Sequence, residues 1–422
     1  MDRVNAGPFA AAASGGLRHA IPVTEPEPGT DAPILTARAS SVGAIREPLD
    51  GERRVAVTPP SASLLAKAGF SVLVESGAGS DAGYADSAYA DAGASLVDRA
   101  GALAADVLLR VRATAWPEGG EPRQTAVVVG LGDPLGHPED VARLAGRGVS
   151  FFALELLPRV TRGQPMDVLS SQATVAGYKA VLLAAEALPK MFPLLTTAAG
   201  TVTPARVFLV GAGVAGLQAI ATARRLGGVV EAYDVRPAVR EEVSSLGARF
   251  LEISLDTGGD GSSGSGAYAQ ELQEETLRRQ RELMTAAVAG ADVVITTAQV
   301  PGRKAPVLVT AEMVDGMAPG SVVVDLACEQ GGNCEVTRNG EVVVTPRGVR
   351  VIGPANITST VAWHASQLYA RNLANFLQYV VADGSLTVAA DDEIATGTLV
   401  CHGGQVVHPR VLDALQSEKA PA

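Results

Sequence analysis

Three features of the sequence predict an α/β fold built on two doubly wound parallel sheets. Short β-branched runs alternate with helix-length stretches, and the alternation occurs twice along the 422 residues. The chain carries 46 glycines against only 4% aromatics, which suits strand–helix units punctuated by tight turns. A glycine cluster, Gly211-Ala212-Gly213-Val214-Ala215-Gly216, follows the strand-like RVFLV and opens the helix-like LQAIATARRL.

Composition narrows the class further. At 47% hydrophobic and 19% charged, the chain has enough apolar residues for large cores and is no disordered tail. Its net charge of −11, without any block of Lys or Arg, excludes a nucleic-acid backbone as partner. Cys328, Cys334 and Cys401 cannot all pair, so a reducing compartment is expected. With no Cys/His pair beside them, no metal site is expected. The longest uncharged apolar stretch, residues 207–223, contains three glycines and Gln218. It is shorter than the ~20 residues a span requires, and a strand running into a helix accounts for it.

The first 40 residues, rich in Ala, Pro and Gly, are expected to form a disordered extension to a cytoplasmic protein. A first domain over 41–170 opens with a strand at 41–45. Pro59-Pro60-Ser61 then starts a helix that stops near Gly69. Strands follow at 70–75, 106–111, 125–130 and 150–154. A loop over 157–168 leads to a long helix over 170–189. A second domain over 171–355 places strands at 207–210, 229–233, 249–253, 292–296 and 321–325. The Gly/Ser run at 257–267 reads as a mobile loop, with a polar helix over 271–289 behind it. An amphipathic helix over 360–380 should return to the first domain, which 356–422 completes; 391–408 reads as a short strand pair.

Each candidate site has a chemical and a plain reading. In the glycine cluster, a tight turn, bare backbone and a helix N-terminus favour a pyrophosphate. The alternative is a tightly packed strand–helix turn. The next strand ends in Asp234, where a carboxylate would bond ribose hydroxyls and repel a 2′-phosphate, favouring NAD over NADP. Val235 and Arg236 extend that strand end, and Arg236 argues the other way. Arg53 and Arg54, in GERRVAVTP, suit either a bidentate grip on a carboxylate or phosphate, or ion pairing between domains. Arg159, Gln164, Asp167 and Ser170 gather guanidinium, amide, carboxylate and hydroxyl in one loop. They suit a carboxamide and a ribose, or a helix cap formed by Asp167 or Ser170. Glu329 closes the strand VVVD, facing a nicotinamide or shaping a turn. Ala298 ends ITTA at the same sheet edge. His137, His364, His402 and His408 sit in no catalytic setting, and surface or capping roles suit them.

Taken together, these runs resemble a known family. From about 41 to 408, the chain is similar to the NAD(H)-binding alpha subunits of proton-translocating NAD(P) transhydrogenase, of the type in which the alpha subunit is divided between chains. GERRVAVTP, RVTRGQPMDVLSSQATVAGYKAV, ARVFLVGAGVAGLQAIATARRLGGVVEAYDVRPAVREEV, ITTAQVPGRKAPVLVT and VVDLACEQGGNCEVT carry the likeness. The resemblance implies two Rossmann-like domains flanking a cleft, a homodimer, and NAD(H) held by the second domain. It implies direct, Re/Si-specific hydride exchange with NADP(H) on a partner beta subunit. Proton movement would run through that partner and a separate membrane-spanning alpha chain, with this chain peripheral on the inner membrane. Arg159, Asp167 and Ser170 would orient the nicotinamide, Gln164 would reach toward the partner's nucleotide, and Tyr268 would belong to a closing loop. Pro165 stands where the family more often has serine. Alanine dehydrogenases share the E-x-R-V-A-x-T-P start, and there Arg54 would take the substrate carboxylate. However, Arg110-Val111-Arg112 replaces that enzyme's lysine stretch, and Val129-Gly130-Leu131-Gly132 replaces its histidine region. A non-catalytic NADH-binding protein is the remaining alternative.

Overall fold

The structure is a computed structural model describing residues 33–116, 120–252, 266–299 and 302–419, with backbone alone at 266–277 and 418–419. The α/β class holds: two sheets, each mostly parallel, organise the described residues.

The first sheet has eight strands, in the order Gln405–Val406, Leu399–His402, Ser150–Ala153, Val127–Leu131, Val107–Arg112, Ser41–Ala44, Ser71–Glu75 and Ser95–Val97. The last six run parallel, and the two from the chain's end pair antiparallel at the edge. Hydrophobic clusters cover both faces of the central strands. That double burial explains why these strands are unbroken apolar runs rather than alternating ones.

The second sheet runs Arg249–Phe250, Val229–Tyr233, Arg206–Val210, Val293–Thr296, Val322–Asp325, Arg350–Ile352 and Val342–Val344. Only the last pairing is antiparallel. Strand order reverses between Arg206–Val210 and Val293–Thr296, which opens a crevice at their carboxyl ends, where folds of this type hold ligands.

Two helices link the sheets. Val168–Ala187 packs on the helix Val214–Arg225 of the second sheet. It ends where Leu188 turns extended, as the following Pro189 demands. It is also the one helix among the described residues long and apolar enough to cross a membrane, yet Val181 and Ala184 are spent on the core shared with Val207 and Leu209. Ala362–Val380 then returns the chain, burying Tyr369, Leu373, Phe376 and Leu377 against the first sheet.

Several expectations need correction. Leu35–Arg38 lies within the stretch read as an extension, yet it is a strand paired antiparallel with Ser385–Val388. Its partner is about 350 residues away in sequence, so no local pattern reveals it. Residues 391–408 open with the helix Glu393–Thr398, capped by Asp392, before the strand pair begins. The strand expected over 249–253 shortens to Arg249–Phe250, and the polar helix starts at Gly266. A hairpin, Leu195–Thr197 with Gly200–Val202, has no counterpart among the expected elements. The loop expected at 257–267 lies mostly outside the described residues, and Tyr268 is described in backbone only.

Candidate functional site

The glycine cluster stands at the carboxyl end of Arg206–Val210, on one lip of the crevice. Gly211 adopts φ +101°, which side chains disfavour, and a Cβ there would lie 2.5 Å from the Thr297 Oγ1. A Cβ at Gly216 would come within 2.0 Å of the Gly211 carbonyl oxygen. The fold itself therefore demands both glycines. Gly213 differs, because no protein atom would lie within 4 Å of its Cβ. It precedes the helix Val214–Arg225 without a side-chain cap, so the N–H groups of Val214, Ala215 and Gly216 form a helix N-terminus suited to an anion. Gly213→Ala should therefore cost the fold about 1 kcal/mol or less. Its methyl would still project into the crevice and weaken dinucleotide binding about tenfold. Fluorescence titration with NADH beside a thermal melt checks both; equal affinity would show that nothing approaches this backbone.

Asp234 forms the next lip. Its Oδ2 accepts the Ala212 N–H at 2.7 Å, tying it to the glycine turn. Arg236 folds back, donating Nε to Oδ1 and Nη2 to Oδ2, each at 3.0 Å. Burial pushes the carboxyl upward, but the Arg236 hydrogen bond and the two backbone donors outweigh it and hold it below its ordinary range. Arg236 is thus engaged by Asp234 itself. Val235 projects between them with 71% of its surface exposed, an apolar platform at the strand end.

Across the crevice lie Thr297, Ala298 and Gln299. Thr297 Oγ1 donates to the Gly211 carbonyl at 3.2 Å, so the two lips are hydrogen-bonded. Ala298 is gripped at both backbone groups by the Asn333 side chain. Glu329 accepts the Asn356 N–H at 2.6 Å, which makes its carboxylate a tie to the returning chain. Behind this lip, Asp325 and Asn333 form a buried network that sequence reasoning missed, although both residues stand in the run VVDLACEQGGNCEVT.

The polar loop begins where Ser150–Ala153 ends. Asp167 caps the helix Val168–Ala187, accepting the Ser170 N–H at 2.9 Å and the Ser170 hydroxyl at 2.6 Å. The cap and the polar pair are therefore one object. Asn372 and Asn375, from the returning helix, donate to the Pro165 carbonyl at 2.7 and 2.9 Å. That carbonyl, available from proline or serine alike, fixes the loop. Gln164 and Arg159 stay exposed, with no side-chain hydrogen bond or ion pair among the described residues. A Cβ on Gly177 would lie 2.1 Å from the Ala215 carbonyl, and Ser170 is seven residues earlier on the same helix. At about 1.5 Å per residue, the loop's end stands roughly 10 Å along the helix from the glycine turn.

Glu155, at the loop's stem, accepts the N–H groups of Gly132 and Asp133, both at 2.6 Å, while its Oε2 is buried without a partner. Burial outweighs the backbone donors and pushes the carboxyl up to about 7. A folded-state pKa above the unfolded one means that protonation favours the fold. Stability should therefore fall as pH rises from about 4.5 to about 7, by roughly 3 kcal/mol at most. Glu155→Gln should flatten that slope in urea titrations at pH 5 and 8, and an unchanged slope would count against the assignment.

In GERRVAVTP, the ion-pairing reading of Arg54 prevails. Arg54 is 4% exposed and donates to both oxygens of Glu52 (2.8 and 2.7 Å), to Gln172 (2.9 Å) and to Asn356 (3.3 Å). This leaves the guanidinium no free edge for a substrate carboxylate. Arg53 is exposed, and only its backbone N–H is bound, to Ser359. Arg110 pairs with Glu47, both side chains 1% exposed, and lies 4.2 Å over the Trp116 ring. His137 meets only Asp133 (3.2 Å), His402 meets Ser150 (2.9 Å), and His364 is exposed. All three cysteines are free and buried, and burial pushes the Cys328 and Cys401 thiols up to about 12.

A glycine turn and an acidic strand end at the switch point of a parallel sheet define a Rossmann-type nucleotide-binding fold. Residues 43–176 match the alanine dehydrogenase/PNT N-terminal domain, and residues 180–409 match the C-terminal domain of that family. The chain is 44% identical over 374 residues to the first portion of the divided NAD(P) transhydrogenase subunit alpha of Rhodospirillum rubrum, covering 86% of this chain and 97% of that one. A transhydrogenase structure from Sinorhizobium meliloti superposes with TM-score 0.79 at 47% identity, over 87% of this chain and 100% of that one. Alanine dehydrogenase of Bacillus subtilis is 31% identical over 396 residues, covering 90% and 96%. The chain belongs to the alanine dehydrogenase/PNT family, with the transhydrogenase alpha subunits.

Proposed function

We propose that this chain is the NAD(H)-binding component of a proton-translocating transhydrogenase, exchanging hydride with NADP(H) held by a partner beta subunit. One observation carries the reading against amino-acid turnover. The positions an alanine dehydrogenase would use, Arg54 and Arg110, are locked in buried ion pairs, while Arg159 and Gln164 stand free beside the Asp167–Ser170 pair. The residues present fit NAD(H): an open backbone at Gly213 for the pyrophosphate, Asp234 for the ribose, and polar groups for a carboxamide.

NAD(H), when bound, supplies the hydride chemistry. The protein's contribution is position, since exchange between two nicotinamides leaves no proton for a side chain to abstract. Arg159, Asp167 and Ser170 orient the nicotinamide, Gln164 faces the partner's nucleotide, and Tyr268 belongs to a segment that closes over the site. Driving force comes from outside the chain: one proton crossing ~180 mV supplies about 4 kcal/mol. A homodimer, a separate membrane-spanning alpha chain and a peripheral place on the cytoplasmic face of the inner membrane complete the reading.

The test mixes the full chain with a separately prepared NADP(H)-binding partner domain. Hydride transfer from NADPH to an acetylpyridine analogue of NAD⁺ is followed by absorbance. Transfer that needs both components is expected. None, with a partner proven active beside another such subunit, overturns the proposal, and alanine formation from pyruvate, ammonium and NADH would replace it.

A further inference from the structure

Behind the Ala298 lip lies a polar network that nothing on the crevice surface reveals. Asn333 is fully buried, and its amide is saturated. It accepts the Ala298 N–H at 2.9 Å and donates to the carbonyls of Ala298 and Pro306, both at 2.8 Å. The Asn333 backbone carbonyl accepts the N–H groups of Leu308 and Val309. One residue therefore holds the start and the end of the segment from Ala298 to Pro306.

Asn333 is itself held by Asp325, the fully buried last residue of the strand Val322–Asp325. Asp325 Oδ2 accepts the N–H groups of Asn333 (2.7 Å) and Cys334 (2.9 Å) and the Thr337 hydroxyl (2.8 Å). Its Oδ1 accepts the Thr296 hydroxyl at 2.8 Å and the Ala327 N–H at 3.0 Å. Five donors on one buried carboxylate are more than fixing a strand end requires. Their common effect is to set the place of Asn333, and through it of Ala298.

We propose that Asn333 is a positioning residue for the nicotinamide half of the bound dinucleotide, acting through the Ala298 backbone that it clamps. The inference rests on the NAD(H) reading above. Its direction follows from the sheet: Asp234 ends the strand on one side of Arg206–Val210, and Ala298 follows the strand on the other. A dinucleotide lying across the crevice with its adenosine ribose at Asp234 brings its other half to Ala298. Losing the clamp strands two carbonyls and one N–H, lets the lip move, and leaves the Asp234 side intact.

The test compares NADH with ADP-ribose, which lacks the nicotinamide, by calorimetric titration of the full chain. Asn333→Ala should raise the NADH Kd about tenfold and leave that of ADP-ribose within about twofold. Thr337→Val, which removes one donor from Asp325, should shift NADH alone by about two- to threefold, and decides the matter if Asn333→Ala does not fold. Tyr89→Phe loses a buried hydrogen bond to the Val57 carbonyl far from the crevice, and should lower Tm without moving either Kd. Unchanged NADH affinity in the folded variants, or equal weakening of both ligands, overturns the proposal. A wild-type chain that binds no NADH overturns the cofactor reading first; normal wild-type binding with unaffected variants overturns this inference alone.

Discussion

An Arg54→Met chain should lose about 3–5 kcal/mol of stability at pH 7, the usual cost of stripping one partner from a buried ion pair. Glu52, whose side chain is fully buried, would keep only Arg112 at 3.3 Å as an ion-pair partner. The effect has a pH signature. Burial raises the Glu52 carboxyl, but Arg54 and Arg112 overcome this and bring it from 4.5 down to about 2. A folded-state pKa below the unfolded one stabilises the fold above the unfolded value and is lost as pH falls through the folded one. The difference between wild type and variant should therefore shrink between about pH 4.5 and 2. Urea unfolding at pH 7, 4.5 and 3 measures it, and a gap that stays constant to pH 3 would contradict the ion-pair account.

Arg159→Ala should produce the largest functional loss with almost no structural one. Arg159 is exposed and its side chain has no partner among the described residues, so its removal should change stability by less than about 0.5 kcal/mol. If it holds the carboxamide during transfer, single-turnover hydride exchange with the partner domain should slow about a hundredfold or more. NADH affinity should change far less, because the phosphate and ribose contacts remain. A variant that transfers hydride at the wild-type rate would remove Arg159 from the site.

The contrast between these residues shows what the sequence could reveal. Gly211, Gly216 and Asp234 were legible because strand, turn and helix follow one another within some thirty residues, and the backbone geometry is local. The Asp167–Ser170 cap was legible for the same reason. Arg54 could only be left as either a ligand grip or an ion pair, since Gln172 and Asn356 are 118 and 302 residues away. Glu155 gave no sign, because its raised pKa comes from burial under segments distant in sequence. Asp325 and Asn333 look like ordinary turn residues until Ala298 and Pro306 are brought beside them. The strand Leu35–Arg38 follows the same rule, being polar, short and dependent on a hairpin near the other end of the chain.

The returning helix has a consequence for how the molecule can be cut. Gln172 donates to the Ala365 carbonyl at 3.0 Å, so the chain leaves for the second sheet and comes back from it at nearly one point. Everything between those positions is one uninterrupted stretch, whereas the first sheet takes strands from both ends of the chain. In engineering terms, the nucleotide lobe is a cassette seated in a host, with neighbouring termini that a short linker could join. Grafting it from a relative asks for two nearby splice points, whereas producing residues 41–170 alone would leave their core without Tyr369, Phe376 and Leu399.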